Sequence, residues 1–479
     1  MSYRMILRTT GVVMVIEAAL MVIMAVLALC FGENVMPFVW TLAILIVIGV
    51  PLTMIKHKQK FFFAREGYVT AALTWLVLSL FGALPFFFNG GFGNYINCFF
   101  EAVSGFTTTG STILEEIETL PRAILLWRST THFVGGMGIL VLATAIVPSG
   151  KDRAQHLMRA EMPGTTAGKL VPRLSKSSAI LYYMYAALTL AEVITLLIAG
   201  TPLYDSVNIA FSTAGTGGFA VLNDSIAGYN AAVEIITSIY MLLFSVNFTV
   251  YFWLLTRKYS QIRKNQELWF FIGIVVVLTG AIAINIRNVY DSFGTGLRHA
   301  FFTVASTVST TGFVVTDYDT LWPEISKVLI LFLTFCGACG GSTGGGIKVS
   351  RLLILLKSVR HEINQIIHPR SVSVIRIDDS PADVGLIHSV LRFLAAYVLV
   401  LICGTILVSF NNFDFVTSFT SVLTCLGNVG PGLSRVGPVL NFNGLSWFSK
   451  IVLSLCMLIG RLEIFPILIF FSPATWSKK

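Results

Sequence analysis

Ala102-Val-Ser-Gly-Phe-Thr-Thr-Thr-Gly110 lies between two apolar stretches, each long enough to cross a bilayer, and is itself too short to cross one. About ten residues of helical character precede it, against the ~20 that a crossing needs. The segment is small, hydroxyl-rich and closed by glycine. Three others share its character: Ile209-Ala-Phe-Ser-Thr-Ala-Gly-Thr-Gly217, Val304-Ala-Ser-Thr-Val-Ser-Thr-Thr-Gly312 and Val422-Leu-Thr-Cys-Leu-Gly-Asn-Val-Gly430. Their closing glycines are 107, 95 and 118 residues apart. One such segment is a weak signal, because small residues are common in membrane helices. Four of them, at near-constant spacing and each between two apolar helices, make a repeat.

The rest of the chain fits that reading. It is 55% hydrophobic and only 12% charged, with a mean hydropathy of +0.80. A soluble chain carries about 25% charged residues, so the 479 residues read as one membrane domain and not as three soluble ones. Arg4 and Arg8 precede an apolar run to Phe31 that is too long for a signal-peptide core and lacks a small-residue cleavage site, so it is expected to be a first spanning helix. Residues 9–31 and 37–55 form a helical hairpin. First helices follow at 68–88, 178–200, 268–286 and 387–409, and second helices at 123–147, 230–256, 324–358 and 445–472. The expected organisation is a hairpin over 1–60 and four repeats over 61–150, 151–265, 266–380 and 381–479. The fold class is an all-α polytopic membrane protein: two N-terminal spans, then four helix–pore-loop–helix units about a pseudo-four-fold pore.

Charge sets the orientation. Of 33 Lys and Arg, 24 lie at the two termini and in loops 56–65, 151–176, 257–264 and 348–376. Glu115, Glu116, Glu118, Asp205, Asp317 and Asp319 occupy the other linkers. The positive-inside rule then puts both termini and all four basic loops in the cytoplasm. Topology accounts for the basic loops, so no nucleic-acid partner is expected. The seven cysteines lie mostly in apolar segments and read as packing residues. Cys336-Gly-Ala-Cys339 has redox spacing but no βαβ context. An enzyme would need a nucleophile–base pair or a metal cluster, and neither is visible. His361-Glu362 followed by His368 lacks the zinc-protease spacing, and Asp378-Asp379 reads as a solvated linker. A secondary transporter coupled to sodium or protons is the alternative, but such carriers use inverted repeats, whereas these repeats share one orientation.

Extended backbone cannot face lipid, where each unpaired amide costs several kcal/mol. At membrane depth it is tolerated only where protein buries it or it lines a water-filled cavity, a condition that four Ser/Thr/Gly loops meet if they converge on one axis around a pore. Glycine permits positive φ, so successive carbonyls can point one way and replace the hydration shell of a monovalent cation. The expected lining triplets are Thr108-Thr109-Gly110, Gly215-Thr216-Gly217, Thr310-Thr311-Gly312 and Asn428-Val429-Gly430. In this alignment Gly215 stands where loops one and three carry Thr108 and Thr310.

The helix expected over 324–358 is anomalous. At 1.5 Å per residue it would run to about 52 Å, well past the hydrocarbon core. Its middle holds Gly337, Gly340, Gly341, Gly344, Gly345 and Gly346. At about 1 kcal/mol per glycine these should break it. The spacing predicts a flexible loop across the pore beneath the triplets, carrying Gly340, Gly341, Ser342, Thr343, Gly344, Gly345, Gly346 and, at its end, Lys348. Lys348 either joins that loop or sits at the cytoplasmic interface. Arg461, deep in the last helix, is costly there and marks a functional position; its neighbour Glu463 is two residues on and does not face it. Asn247 reads as an interhelical hydrogen bond or a pore-lining group. Arg128 and His132 are expected near the outer interface.

Ser104-Gly-Phe-Thr-Thr-Thr-Gly110-Ser-Thr, Ser309-Thr-Thr-Gly312-Phe and Asn428-Val-Gly430-Pro-Gly432 resemble the filter loops of the Trk/Ktr/HKT superfamily of potassium transporters. Gly340-Gly-Ser-Thr-Gly-Gly-Gly-Ile-Lys348, Gly460-Arg-Leu-Glu-Ile-Phe465 and the extra N-terminal hairpin sharpen the likeness to its TrkH branch. The resemblance covers essentially the whole chain. It implies potassium uptake across a bacterial inner membrane, with potassium as substrate and no bound cofactor, since a glycine in all four loops goes with potassium and a serine in the first with sodium. It also implies that Arg461 is a positive knob on the ion path beside the Gly-rich loop. The implied partners are a second copy of the chain and a cytoplasmic nucleotide-binding ring resembling TrkA, docked on loops 151–176 and 348–380. No loop has the full Thr-Val-Gly-Tyr-Gly of a dedicated potassium channel, so looser selectivity is expected.

Overall fold

Helices Tyr3–Phe31 and Met36–Thr53 pack as a hairpin with their backbones in close approach. A Cβ on Gly11 would lie 2.6 Å from Leu52 Cβ, and one on Gly49 would lie 3.0 Å from Met14 Cβ. Small residues are what allow helices to approach this closely where no hydrophobic effect drives them together. The computed structural model describes residues 3–55, 64–138, 174–370, 374–378 and 380–477. The end of the first repeat's second helix (139–147) and most of loops 56–65 and 151–176 lie outside the described residues.

The four first helices are Ala64–Gly82, continued by Leu84–Asn89, then Leu174–Ile198, Gln266–Asn285 and Val384–Ser409. The last three each have two unlike faces. On Gln266–Asn285, Phe271, Val275 and Ile282 are buried, while Trp269, Val276, Val277 and Ile284 are exposed. An apolar side with no protein against it suits lipid. Six helices among the described residues are long and apolar enough to cross a membrane, or seven if one bent pair counts as a single span. The protein is a multi-pass, mostly helical membrane protein. Its one strand pairing among the described residues is a two-residue ladder, Arg376–Ile377 with Ser380–Pro381.

Between the long helices lie four short ones, Tyr95–Phe106, Leu203–Gly215, Phe293–Val308 and Phe415–Gly427, of 12, 13, 16 and 13 residues. At 1.5 Å per residue they reach about 18–24 Å, short of a ~30 Å core. Three are started by side-chain caps that satisfy orphan amides: Asn94 accepts from Asn97 N, Ser292 from Gly294 N and Asp414 from Thr417 N. The Thr417 hydroxyl and amide hold the exposed Asp414 carboxyl below its ordinary range.

The second helices depart from expectation. Only the third was expected to break, yet three of them are interrupted. Ala231–Ser245 gives way to Phe248–Leu255 at a bend of 91°. Glu324–Cys336 is separated from Val349–Ile367, and Trp447–Arg461 from Phe465–Phe471. The causes are local. Asn247 accepts from Thr249 N at 2.9 Å and caps the new helix. In the last helix Glu463 and Ile464 adopt positive φ, +53° and +72°, and Pro466 sits in the next first turn.

Replacing Gly11 with Leu should wedge the N-terminal hairpin apart and destabilise the protein by about 1–3 kcal/mol, lowering its melting temperature in detergent. Gly273→Leu is the control, because no atom lies within 4 Å of a Cβ there. Equal melting of the two variants would rule out backbone proximity as what fixes the hairpin.

Candidate permeation site

Each short helix ends in the same backbone motif. Thr108 N donates to Gly105 O (3.0 Å) and Thr109 N to Ser104 O (2.9 Å). The same pair of bonds joins Thr216 to Thr213 and Gly217 to Ser212, Thr310 to Thr307 and Thr311 to Ser306, and Asn428 to Cys425 and Val429 to Thr424. This is a Schellman cap, with a left-handed residue at its centre: Thr108 (φ +55°), Thr216 (+57°), Thr310 (+61°) and Asn428 (+54°). A non-glycine residue there costs about 1–3 kcal/mol and persists only where its surroundings enforce it. The caps turn the loop amides back to the helix ends. Among the described residues, no hydrogen bond reaches the main-chain oxygens of Thr108, Thr109, Thr216, Gly217, Thr310, Thr311, Asn428 or Val429.

Two residues after each left-handed position stands a glycine at positive φ: Gly110 (+82°), Gly218 (+77°), Gly312 (+79°) and Gly430 (+100°). A Cβ on Gly110 would collide with Gly217 O, on Gly218 with Thr311 O, and on Gly312 with Val429 O. On Gly430 it would lie 2.7 Å from Thr109 O. Each loop therefore abuts the next, and the fourth returns to the first. The four loops close a ring.

That geometry corrects the register expected for the second loop. Thr216, not Gly215, is the partner of Thr108, Thr310 and Asn428, and Gly218, not Gly217, closes the loop. Gly215 is the last residue of its helix. Gly217 is glycine for another reason: a Cβ there would collide with the His132 ring.

The Gly-rich stretch packs against the ring. Gly345 N donates to Thr310 Oγ1 at 2.7 Å, and a Cβ on Gly344 would lie 2.8 Å from Ser309 O. A Cβ on Gly345 would lie 2.5 Å from Gly427 O, so bare backbone is required here. The stretch is pinned by Cys339 N to Ser245 O (3.1 Å), Thr343 Oγ1 to Phe244 O (3.1 Å) and Gly340 N to Glu267 Oε1 (2.6 Å). It is also tied by Phe248 N to Gly341 O (3.1 Å) and Ser342 Oγ to Cys339 O (2.6 Å). Gly346 is at φ +76°. Lys348 is buried and donates to Gly344 O, so it belongs to the stretch.

Arg461 links these parts. Its guanidinium donates to Thr108 Oγ1 (3.2 Å), Thr343 O (2.7 Å), and Gly135 O and Gly136 O (both 2.6 Å). The last two close helix Arg122–Gly136, whose C-terminal dipole end favours a cation. Glu463 pairs with Arg351. A cavity beside them is lined by Trp75, Phe248, Ser342, Lys348, Arg461 and Glu463, among others.

Arg128 and His132 are 1% and 0% exposed, packed behind the first two loops. Arg128 pairs with the equally buried Glu101 at 2.8 Å. Hydropathy along the chain could not reveal this, because the neighbours that bury them are distant in sequence, in the first loop and in the second repeat. Among the described residues no group of three or more His, Cys, Asp or Glu could hold a metal ion.

A family model described as TrkH, cation transport protein, matches residues 33–478. Over the full length of both chains, the protein is 36% identical to the Trk system potassium uptake protein TrkH of Halomonas elongata and 35% identical to that of Escherichia coli K12. It superposes on the crystal structure of the potassium transporter TrkH from Vibrio parahaemolyticus with a TM-score of 0.89 at 32% identity, again covering all of both chains. The chain thus belongs to the TrkH family of cation transport proteins.

Proposed function

We propose that this protein carries potassium ions across a bacterial inner membrane through the ring of main-chain oxygens. The single observation that carries the reading is the closed circle of four capped loops whose carbonyls have no hydrogen-bond donor among the described residues. Unclaimed carbonyls are costly at membrane depth unless something else satisfies them, and a dehydrated monovalent cation does so. Each short helix delivers its negative dipole end to the ring, adding attraction for positive charge. Potassium as the ion is supported by full-length relatives, 35–36% identical, that are named for its uptake.

Gly340 to Lys348 acts as the gate. It packs under Thr310 and Asn428, and Arg461 ties it to Thr108. A guanidinium and an ammonium beside a cation path raise the barrier to passage while the stretch stays in place. Both termini face the cytoplasm, where loops 151–176 and 348–380 receive a nucleotide-binding regulatory ring resembling TrkA, and the chain works as a homodimer. Displacing the stretch is the partner's task.

In proteoliposomes, Gly110→Ser should raise sodium permeability relative to potassium by about tenfold, a difference of ~1.4 kcal/mol, read from reversal potentials in mixed salts. An unchanged ratio would remove Gly110 from the selective ring. Deleting residues 340–346 should increase rubidium uptake without any partner present by at least about tenfold, equivalent to ~1.4 kcal/mol off the barrier. Uptake no faster than wild type would mean that the stretch does not block the path.

A further inference from the structure

Phe219 directly follows Gly218 in the ring, and one helix of the preceding repeat packs two side chains against it. Arg128 and His132 stand four residues apart on Arg122–Gly136, on one face. The Arg128 guanidinium carbon is 4.1 Å from the centroid of the Phe219 ring, and the His132 ring centroid is also 4.1 Å away, with its plane tilted by 33°. His132 Nδ1 lies 2.7 Å from Gly105 O, and Phe219 N donates to His132 Nε2 at 3.3 Å. A carbonyl only accepts and an amide N–H only donates. The neutral imidazole with its proton on Nδ1 is therefore the form that makes both bonds.

Arg128 completes the clamp. It donates to Ala220 O (3.4 Å), Thr112 Oγ1 (3.3 Å) and Glu101 (2.9 Å), while Glu101 accepts from Ile113 N (3.0 Å). The ion pair thereby ties the extended segment after loop one to the one after loop two. Loop three has the matching phenylalanine, Phe313, and the matching bond, Ser306 Oγ to Phe313 O, as in Ser212 Oγ to Phe219 O. Among the described residues, however, Phe313 has no ring or cation stacked on it.

We infer that His132 and Arg128 are positioning residues for ion selectivity, acting through the peptide between Gly218 and Phe219. A trans peptide is planar, and its N–H and C=O point in opposite directions. Fixing Phe219 N–H on His132, behind the loop, turns Gly218 O the other way, toward the ring. The spacing of opposing oxygens at that level then depends on a side chain that touches no ion. This rests on the ring being the selective element.

The test is the potassium-to-sodium permeability ratio in proteoliposomes, taken from reversal potentials, which do not depend on how many molecules conduct. His132→Ala should lower the ratio about tenfold, corresponding to the loss of one buried hydrogen bond. His132→Gln keeps an acceptor within reach of Phe219 N and should recover most of the ratio. Phe219→Leu, which keeps bulk but loses the stacked faces, should lower it about threefold, the scale of a single cation–π contact. If His132→Ala does not reach the membrane, the ordering of His132→Gln above Phe219→Leu decides the matter. Gly110→Ser runs alongside. Should Gly110→Ser shift the ratio while the His132 and Phe219 variants stay within twofold of wild type, the clamp has no part in selectivity. Should Gly110→Ser also be silent, the ring itself has been misread.

Discussion

The structure depends on how a protein keeps main-chain oxygens unsatisfied in the middle of a membrane. Amides and carbonyls come in equal number, so exposing one set requires hiding the other. Here the hiding is done by four helix ends. Each Schellman cap takes two loop amides back into its own helix and leaves the next carbonyls without a partner. The left-handed Thr108, Thr216, Thr310 and Asn428 bear the conformational cost. Closing the loops into a circle keeps that backbone away from lipid. The short helices, their caps and the glycines behind them follow from this requirement.

The same requirement explains the broken second helices. A bare helix end at membrane depth needs partners for its last carbonyls. Gly135 O and Gly136 O find theirs in Arg461, Ser245 O in Cys339 N, and Cys336 O in Lys348 N. Helix ends and cations thus satisfy each other, and the arrangement is strained. Lys348, Glu463 and Ile464 hold positive φ, and Ile464 is β-branched, for which this is a true outlier. Strain of this kind concentrates at elements that switch. Here it concentrates where the Gly-rich stretch meets the last helix.

Much of this was legible in the sequence. The four loops share a hydroxyl-rich, glycine-closed string because they share a backbone conformation, and six glycines within a helical stretch do break it. The register of the second loop was hidden by Gly215-Thr-Gly-Gly218, where three glycines compete for one positive φ. The choice is made by Thr311 O and the His132 ring, neither of them local. That Arg128 and His132 would be buried against both the first and the second loop was hidden for the same reason: position along a helix does not say which distant segments pack against it. The breaks near Asn247 and Pro466 did carry a local signal, an Asn cap and a first-turn proline, but both sat inside apolar runs that hydropathy reads as continuous.

The four-fold symmetry is that of the backbone alone. Loops one and three carry a hydroxyl pair across the left-handed residue, Thr107 with Thr109 (2.8 Å) and Ser309 with Thr311 (2.7 Å). Loops two and four have Gly215 and Gly427 at the first of those positions and are braced from outside instead. His132 supports loop two, while in loop four Asn428 donates to Met457 O (3.0 Å) and Thr109 Oγ1 (2.9 Å). A homotetrameric ring must use one brace four times. A single chain with four unlike repeats can stiffen some loops internally and fasten others to neighbours. The Gly-rich stretch meets loops three and four directly and loop one through Arg461, whereas loop two is fastened to a helix of the first repeat. A stretch that moves would then disturb three sides of the ring and leave the fourth anchored, so that permeation and selectivity need not change together.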